Sequence, residues 1–145
     1  MRQKPKTRKK PAPSLAKLKK TAWGLLSECV RREASEYYDS DYLGCYTCGA
    51  VKLWNDGMQA GHAIGGRDGA VLLDEEIIRP QCVRCNIMLH GNYGIFATKL
   101  IIENGMDWWE KKLSDSRQVR KWNRGELEEK LEGYKLRLEA LAGRQ

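Results

Sequence analysis

Apolar residues recur along this chain at helical spacing near both ends and at shorter, extended spacing in the middle. Leu15, Leu18, Ala22, Leu25, Leu26, Cys29 and Val30 fall three and four apart behind Ser14. That spacing predicts an amphipathic helix over about 14–38 with Ser14 as its cap. Cys29 lies on the apolar stripe and reads as a packing residue. Leu127, Leu131, Tyr134, Leu138 and Leu141 repeat the pattern over about 124–142, and shorter helices are expected over about 92–104, stopped by Asn104-Gly105, and 107–114. Between these lie short extended stretches at about 50–54, 58–62 and 76–79. Asn55-Asp56-Gly57 predicts that the first two pair as a hairpin, and the Gly-rich run 64–69 reads as a loop. One more helix is expected from Cys85 onward, carrying Asn86 and His90. The result is an α+β, helix-rich fold with a small ββα core in the middle.

Charge changes the picture at the amino terminus. The chain has 145 residues and a formal net charge of +7. Nine of its 26 basic residues lie within positions 1–20, where there is no acid, leaving 17 basic against all 19 acidic residues in the remainder. A basic, Pro-containing stretch of this kind reads as a disordered arm over 1–13 that contacts a polyanion, with Lys9 and Lys10 as candidate DNA contacts. The expected divisions are this arm (1–13), an N-terminal helix (14–40), a zinc-bound core (41–105) and C-terminal helices (106–145). No apolar run approaches the roughly 18 residues of a membrane span, and the basic start lacks the apolar stretch of a signal peptide. No membrane association and a cytoplasmic location are expected.

Four of the five cysteines form two Cys-x-x-Cys units, Cys45-Tyr-Thr-Cys48 and Cys82-Val-Arg-Cys85. One tight turn delivers two thiolates to a tetrahedral ion, so two such units predict a Cys₄ zinc site. Four thiolates leave no open coordination position, and this Zn²⁺ is therefore expected to be structural. A simple zinc ribbon separates its pairs by about 15–20 residues. Here residues 49–81 intervene, enough to hold a hairpin and a loop.

Most of the unusual residues of that insertion surround His62, one of the chain's two histidines. His62 stands in Gln59-Ala-Gly-His62 and His90 in Cys85-Asn86-Ile-Met-Leu-His90-Gly-Asn92. Asn86 and His90 are four apart, so a helix would point both to one side. An amide oxygen and an imidazole opposite a histidine can hold a divalent ion beside a general base acting on a phosphodiester. Other roles fit the same residues: Asn86 as a helix cap, His90 as a helix-end residue, His62 itself as a ligand. Arg67 and Arg84 are candidate phosphate contacts or ordinary surface cations. Trp108 and Trp109 read as core or interface residues.

Cys-x-x-Cys, a Gly-His, and then Pro80-Gln81-Cys82-Val83-Arg84-Cys85-Asn86 leading to His90-Gly91-Asn92 resembles the phage NinG (Rap) recombination-nuclease family. That family belongs to the His-Asn-His, or ββα-metal, endonuclease superfamily, whose zinc-containing relatives include recombination endonuclease VII. The resemblance is strong over about 42–110 and looser through the final helix. It implies a ββα-metal, treble-clef-like zinc core flanked by helices. It further implies an endonuclease acting on branched DNA, such as Holliday junctions or flaps, in the host cytoplasm during phage recombination. His62 would be the general base, Asn86 a metal ligand or a positioner of the catalytic loop, and His90 a ligand. Mg²⁺ or Mn²⁺ would be the catalytic ion, with a homodimer as the possible assembly. The sequence departs from the superfamily at Gly61, where many members carry an Asp or His ligand. Asp56, Asp68 and Asp74 are the candidates for a missing carboxylate. This departure supports the rival expectation of a non-catalytic zinc-finger DNA-binding or recombination accessory protein.

Overall fold

The computed structural model of the chain describes residues 7–65 and 69–143. Helix α1 spans Leu15–Tyr37, and the Ser14 hydroxyl accepts from the Lys17 backbone N–H at 3.2 Å, satisfying one of the helix's unpaired donors. Two short antiparallel strand pairs follow. β1 (Tyr42–Gly44) pairs with β2 (Val51–Leu53), and β3 (Met58–His62) pairs with β4 (Ile78–Cys82). A five-residue π-helix, Arg84–Met88, leaves the end of β4. Helices α2 (Tyr93–Asn104), α3 (Met106–Ser116) and α4 (Arg124–Ala142) complete the described chain. The fold is α+β and helix-rich, with the order β3, β4, helix at its centre.

The pairing differs from the hairpin expected at Asn55–Gly57. That turn does reverse the chain, but only an isolated Leu53–Gly57 bridge spans it. The partner of β2 is β1, and the residues joining those two strands are the first Cys-x-x-Cys turn. β3 finds its partner beyond the Gly-rich segment instead. Its register sets Met58 opposite Cys82, Gln59 opposite Gln81, Gly61 opposite Arg79 and His62 opposite Ile78. Each pair of strands therefore ends beside one pair of cysteines, and the four sulfurs converge between the two sheets.

The main core is formed where α1 lies against α4 and against β3 and β4. Leu18, Ala22, Leu26 and Cys29 of α1 bury against Leu127, Leu131 and Tyr134 of α4 and against Ile77, Ile78, Phe96 and Leu100. Cys29 is fully buried there, its thiol against the Tyr134 carbonyl, and burial pushes it up to about 11. A second, smaller cluster contains Leu43, Met58, Cys45, Cys82 and Cys85. Trp108 and Trp109 pack against the edge of the main core. α4 starts in a capping box, in which Asn123 and Glu126 each accept the other's backbone N–H.

Arg137 of α4 fastens three elements. Its guanidinium meets both Glu33 oxygens on α1 at 2.8 Å and Glu75 at 2.7 Å, and those carboxylates raise its pKa despite its partial burial. All three side chains are about one-third to two-fifths exposed, so solvent screens the network. Arg137→Ala is expected to destabilise the fold by about 1 kcal/mol, a drop of ~2–4 °C in thermal midpoint. Calorimetry of the two proteins checks it. Among the described residues no helix is long and apolar enough to cross a membrane.

Candidate zinc site and active site

Four sulfurs meet where the strand pairs end. Cys45, Cys48, Cys82 and Cys85 place their sulfurs all within 4.8 Å of one another, and Cys48 and Cys82 stand 3.7 Å apart. Zn–S bonds of about 2.3 Å require tetrahedron edges of about 3.8 Å, so the donor set suits a structural zinc. Local chemistry already favours thiolate at Cys45. Burial opposes its ionisation, but the Thr47 hydroxyl and backbone N–H groups of both knuckles outweigh that and hold it down at about 6. The Asn92 amide lies 3.7 Å from the Cys85 sulfur.

His62 ends β3 and is buried, with the Trp23 ring of α1 stacked on it at 4.5 Å and an interplanar angle of 29°. Its Nε2 lies 3.1 Å from the carbonyl oxygen of Leu72. A carbonyl only accepts, so Nε2 carries a proton, and in a neutral ring the remaining lone pair would be on Nδ1. The stack and the hydrogen bond fix both the tautomer and the ring plane.

Asn86 follows the ligand Cys85 directly, within the π-helix. Its Nδ2 donates to Gln59 Oε1 at 2.8 Å. It lines a pocket of about 140 Å³ together with His62, Ala60, Ile64, Gly65, Ile87 and Tyr93. The structure thus brings His62 and Asn86 to one cavity, on elements that converge at the cysteine cluster.

His90 is placed elsewhere. The helix expected to carry it with Asn86 ends at Met88, and His90, Gly91 and Asn92 follow with φ of 51°, 96° and 48°. Three left-handed residues in succession reverse the chain into α2, and His and Asn tolerate that conformation better than most residues. His90 is exposed and does not line the pocket, so the expected same-face pair is not formed. Arg84 is exposed on the π-helix, and Lys9 and Lys10 are exposed in a stretch without helix or strand. Arg67 and Asp68 lie outside the described residues, as do positions 1–6 of the arm. Asp74 is held by Lys112 at 2.9 Å and caps a short 3₁₀ turn, and Asp56 is exposed in the turn after β2.

A family model described as Bacteriophage Lambda NinG protein matches residues 1–143. The chain belongs to the NinG family. No curated protein and no solved structure matches it significantly.

In this NinG-family chain the residue before His62 is a glycine for a steric reason. A methyl group at Gly61 would overlap the side-chain oxygen of Gln81, lie 2.8 Å from the Gln81 amide carbon and 3.1 Å from Asn86 Oδ1. Among the described residues no Asp or Glu lines the pocket. Gln81, which the sequence presents only as part of the Pro80–Asn86 motif and without a role of its own, is fully buried and donates through Nε2 to Gly91 O at 2.9 Å and Thr47 Oγ1 at 3.1 Å. Because the Gly91 carbonyl only accepts, the amide nitrogen must face it and the oxygen must face Gly61. That oxygen meets no donor among the described residues. Leaving such an acceptor buried costs on the order of 1–3 kcal/mol.

Proposed function

We propose that this NinG-family protein is a metal-dependent, structure-selective endonuclease of the His-Asn-His type. It cuts phosphodiester bonds in branched DNA, such as Holliday junctions or flaps, during phage recombination in the host cytoplasm. The observation that carries this reading is the meeting of His62 and Asn86 at one pocket on a β3-β4-helix unit anchored by four cysteines. His62 Nδ1 takes the proton of the attacking water, and the Nε2–H bond to the Leu72 carbonyl holds the ring and stabilises the resulting imidazolium. The water oxygen bonds to phosphorus as the bond from phosphorus to the departing sugar oxygen breaks. That oxygen acquires a proton from solvent.

Asn86, through Oδ1, would hold a divalent cation, being a neutral hard donor of the kind Mg²⁺ and Mn²⁺ accept. When bound, that cation supplies charge stabilisation to the phosphate and the leaving oxygen. His90 is left out of this ligand set, because its turn carries it away from the pocket. Pairing of two copies across the two-fold axis of a junction belongs to the same reading.

That no carboxylate lines the pocket among the described residues supports one other reading, a zinc-stabilised DNA-binding or recombination accessory protein without catalysis. Purified protein, a labelled four-way junction and Mg²⁺ or Mn²⁺ separate the two. Nicks mapped near the branch point support the nuclease, whereas binding without cleavage in both ions leaves the accessory protein.

The basic arm supplies affinity without sequence choice, since phosphate contacts carry none. Deleting residues 1–13 removes Arg2, Lys4, Lys6, Arg8, Lys9 and Lys10. The shortened protein is expected to bind junctions more weakly, with its logarithmic salt slope flatter by up to about 5. Titrations across a range of salt concentrations measure it, and an unchanged slope would rule the arm out as a phosphate contact.

A further inference from the structure

The π-helix and the turn behind it leave three large apolar side chains in solvent next to the pocket. Ile87, Met88 and Leu89 are 55, 69 and 43% exposed. Ile87 lines the pocket together with Asn86, and Tyr93, exposed as well, lines it too. Single apolar residues on a surface need no explanation, but three in succession beside a pocket mark a contact surface. The backbone under them is tightly bonded. The N–H groups of Leu89, Gly91 and Asn92 donate to the carbonyls of Arg84, Cys85 and Leu89 at 2.8, 2.9 and 2.9 Å. Cys85, at the root of this ridge, belongs to the sulfur cluster, and the left-handed run 90–92 turns the chain back behind it. The ridge is therefore rigid.

Its surroundings carry one sign of charge. Positions 77–102 contain Arg79, Arg84 and Lys99 and no acidic residue, and Arg84 is exposed on the π-helix itself. An apolar ridge on a cationic stretch suits a polyanion that also offers apolar surface. DNA has such surface on the faces of its bases, which an intact stack covers. Where strands exchange at a branch the stack is interrupted, and base faces open.

We infer that Ile87, Met88 and Leu89 form a wedge that enters the base stack at a branch point, with Met88 as its leading residue. This rests on the branched-DNA reading above and assigns its selectivity to named side chains. Entry into an unbroken duplex requires a base step to be unstacked, whereas a branch is already open. Arg84 meets a phosphate beside the wedge, a contact that carries no sequence information. The faces of all four bases are apolar, so the wedge reads structure and not sequence. It adds binding only where stacking is interrupted, and it sets the phosphodiester next to that interruption at the pocket of His62 and Asn86.

The test uses full-length, zinc-loaded protein and a four-way junction carrying 2-aminopurine at the branch. Mg²⁺ and Mn²⁺ are left out, so that no strand is cut. Stacking quenches 2-aminopurine, and binding of the wild-type protein is expected to raise its emission. The same base within a linear duplex should remain quenched. Met88→Lys replaces a solvent-exposed side chain and adds a charge that attracts phosphate. It is expected to lose the emission rise and at least about tenfold of the ratio of junction to duplex affinity. Met88→Leu keeps an apolar side chain and should retain both. Wild-type emission and selectivity in the Met88→Lys protein would overturn the wedge. So would a variant changed only in the sedimentation coefficient of the free protein, which would make the ridge a contact between copies. A wild-type protein without preference for the junction over duplex sinks the branched-DNA reading itself. Preference for the junction without an emission rise removes the wedge alone.

Discussion

His62→Gln is expected to lower the single-turnover rate of junction nicking by about 100- to 10,000-fold while junction binding persists. Glutamine is the informative replacement because its amide N–H can still donate toward the Leu72 carbonyl, where His62 Nε2 lies at 3.1 Å. What it lacks is a basic lone pair at the position of Nδ1. The loss therefore reports proton abstraction and not the collapse of the site. His62→Ala also removes the ring that Trp23 stacks upon at 4.5 Å, and its defect should include lost stability. Gel-shift titration and rapid-quench cleavage on the same junction measure the two quantities separately. Normal cutting by the glutamine variant would exclude His62 as the base.

Replacing Cys85 with Ser, or stripping metal with a strong chelator, is expected to abolish cleavage and to melt the middle of the chain. The small cluster around Leu43, Met58, Cys45, Cys82 and Cys85 has little apolar area of its own. A cluster of that size relies on its metal, because the free energy of binding structural zinc is in large part folding free energy. The main core between α1 and α4 contains no sulfur ligand and should keep its helices. Circular dichroism should therefore retain most of its helical signal, while NMR resonances from about 42–62 and 78–92 lose their dispersion. The same result is expected on acidification, since thiolates must be deprotonated to bind the ion and protons compete for them. Full junction cleavage by the metal-free protein would show that the cysteines are not the anchor of the site.

The two ends of the molecule were legible in the sequence because helical periodicity is a local property. Ser14, Asn104-Gly105 and the leucines of 127–141 mark α1, α2 and α4 within a residue or two. The cysteines were legible as well, because two turns of fixed spacing encode them. Strand partners are not local. β1 is three residues long, too short to show alternation, and its absence from the sequence reading gave β2 the wrong neighbour. His90 was misplaced for a related reason. Spacing of four matters only while a helix lasts, and the left-handed run at 90–92 ends it. Gln81 could not be recognised without the register, since only the pairing of β3 with β4 brings its amide against Gly61.

Trp23 sits on α1, well before Cys45, and yet it forms one wall of the histidine's environment. The stretch from 41 to 105 has the outline of a portable module, with its own four-cysteine cluster and both strand pairs. Cut out and grafted into another protein, it would arrive without the indole stacked on His62 and without the helix covering the back of β3 and β4. Any lineage that exchanged this cassette would have to inherit the preceding helix in the same event, or reinvent an aromatic shelf from its new host.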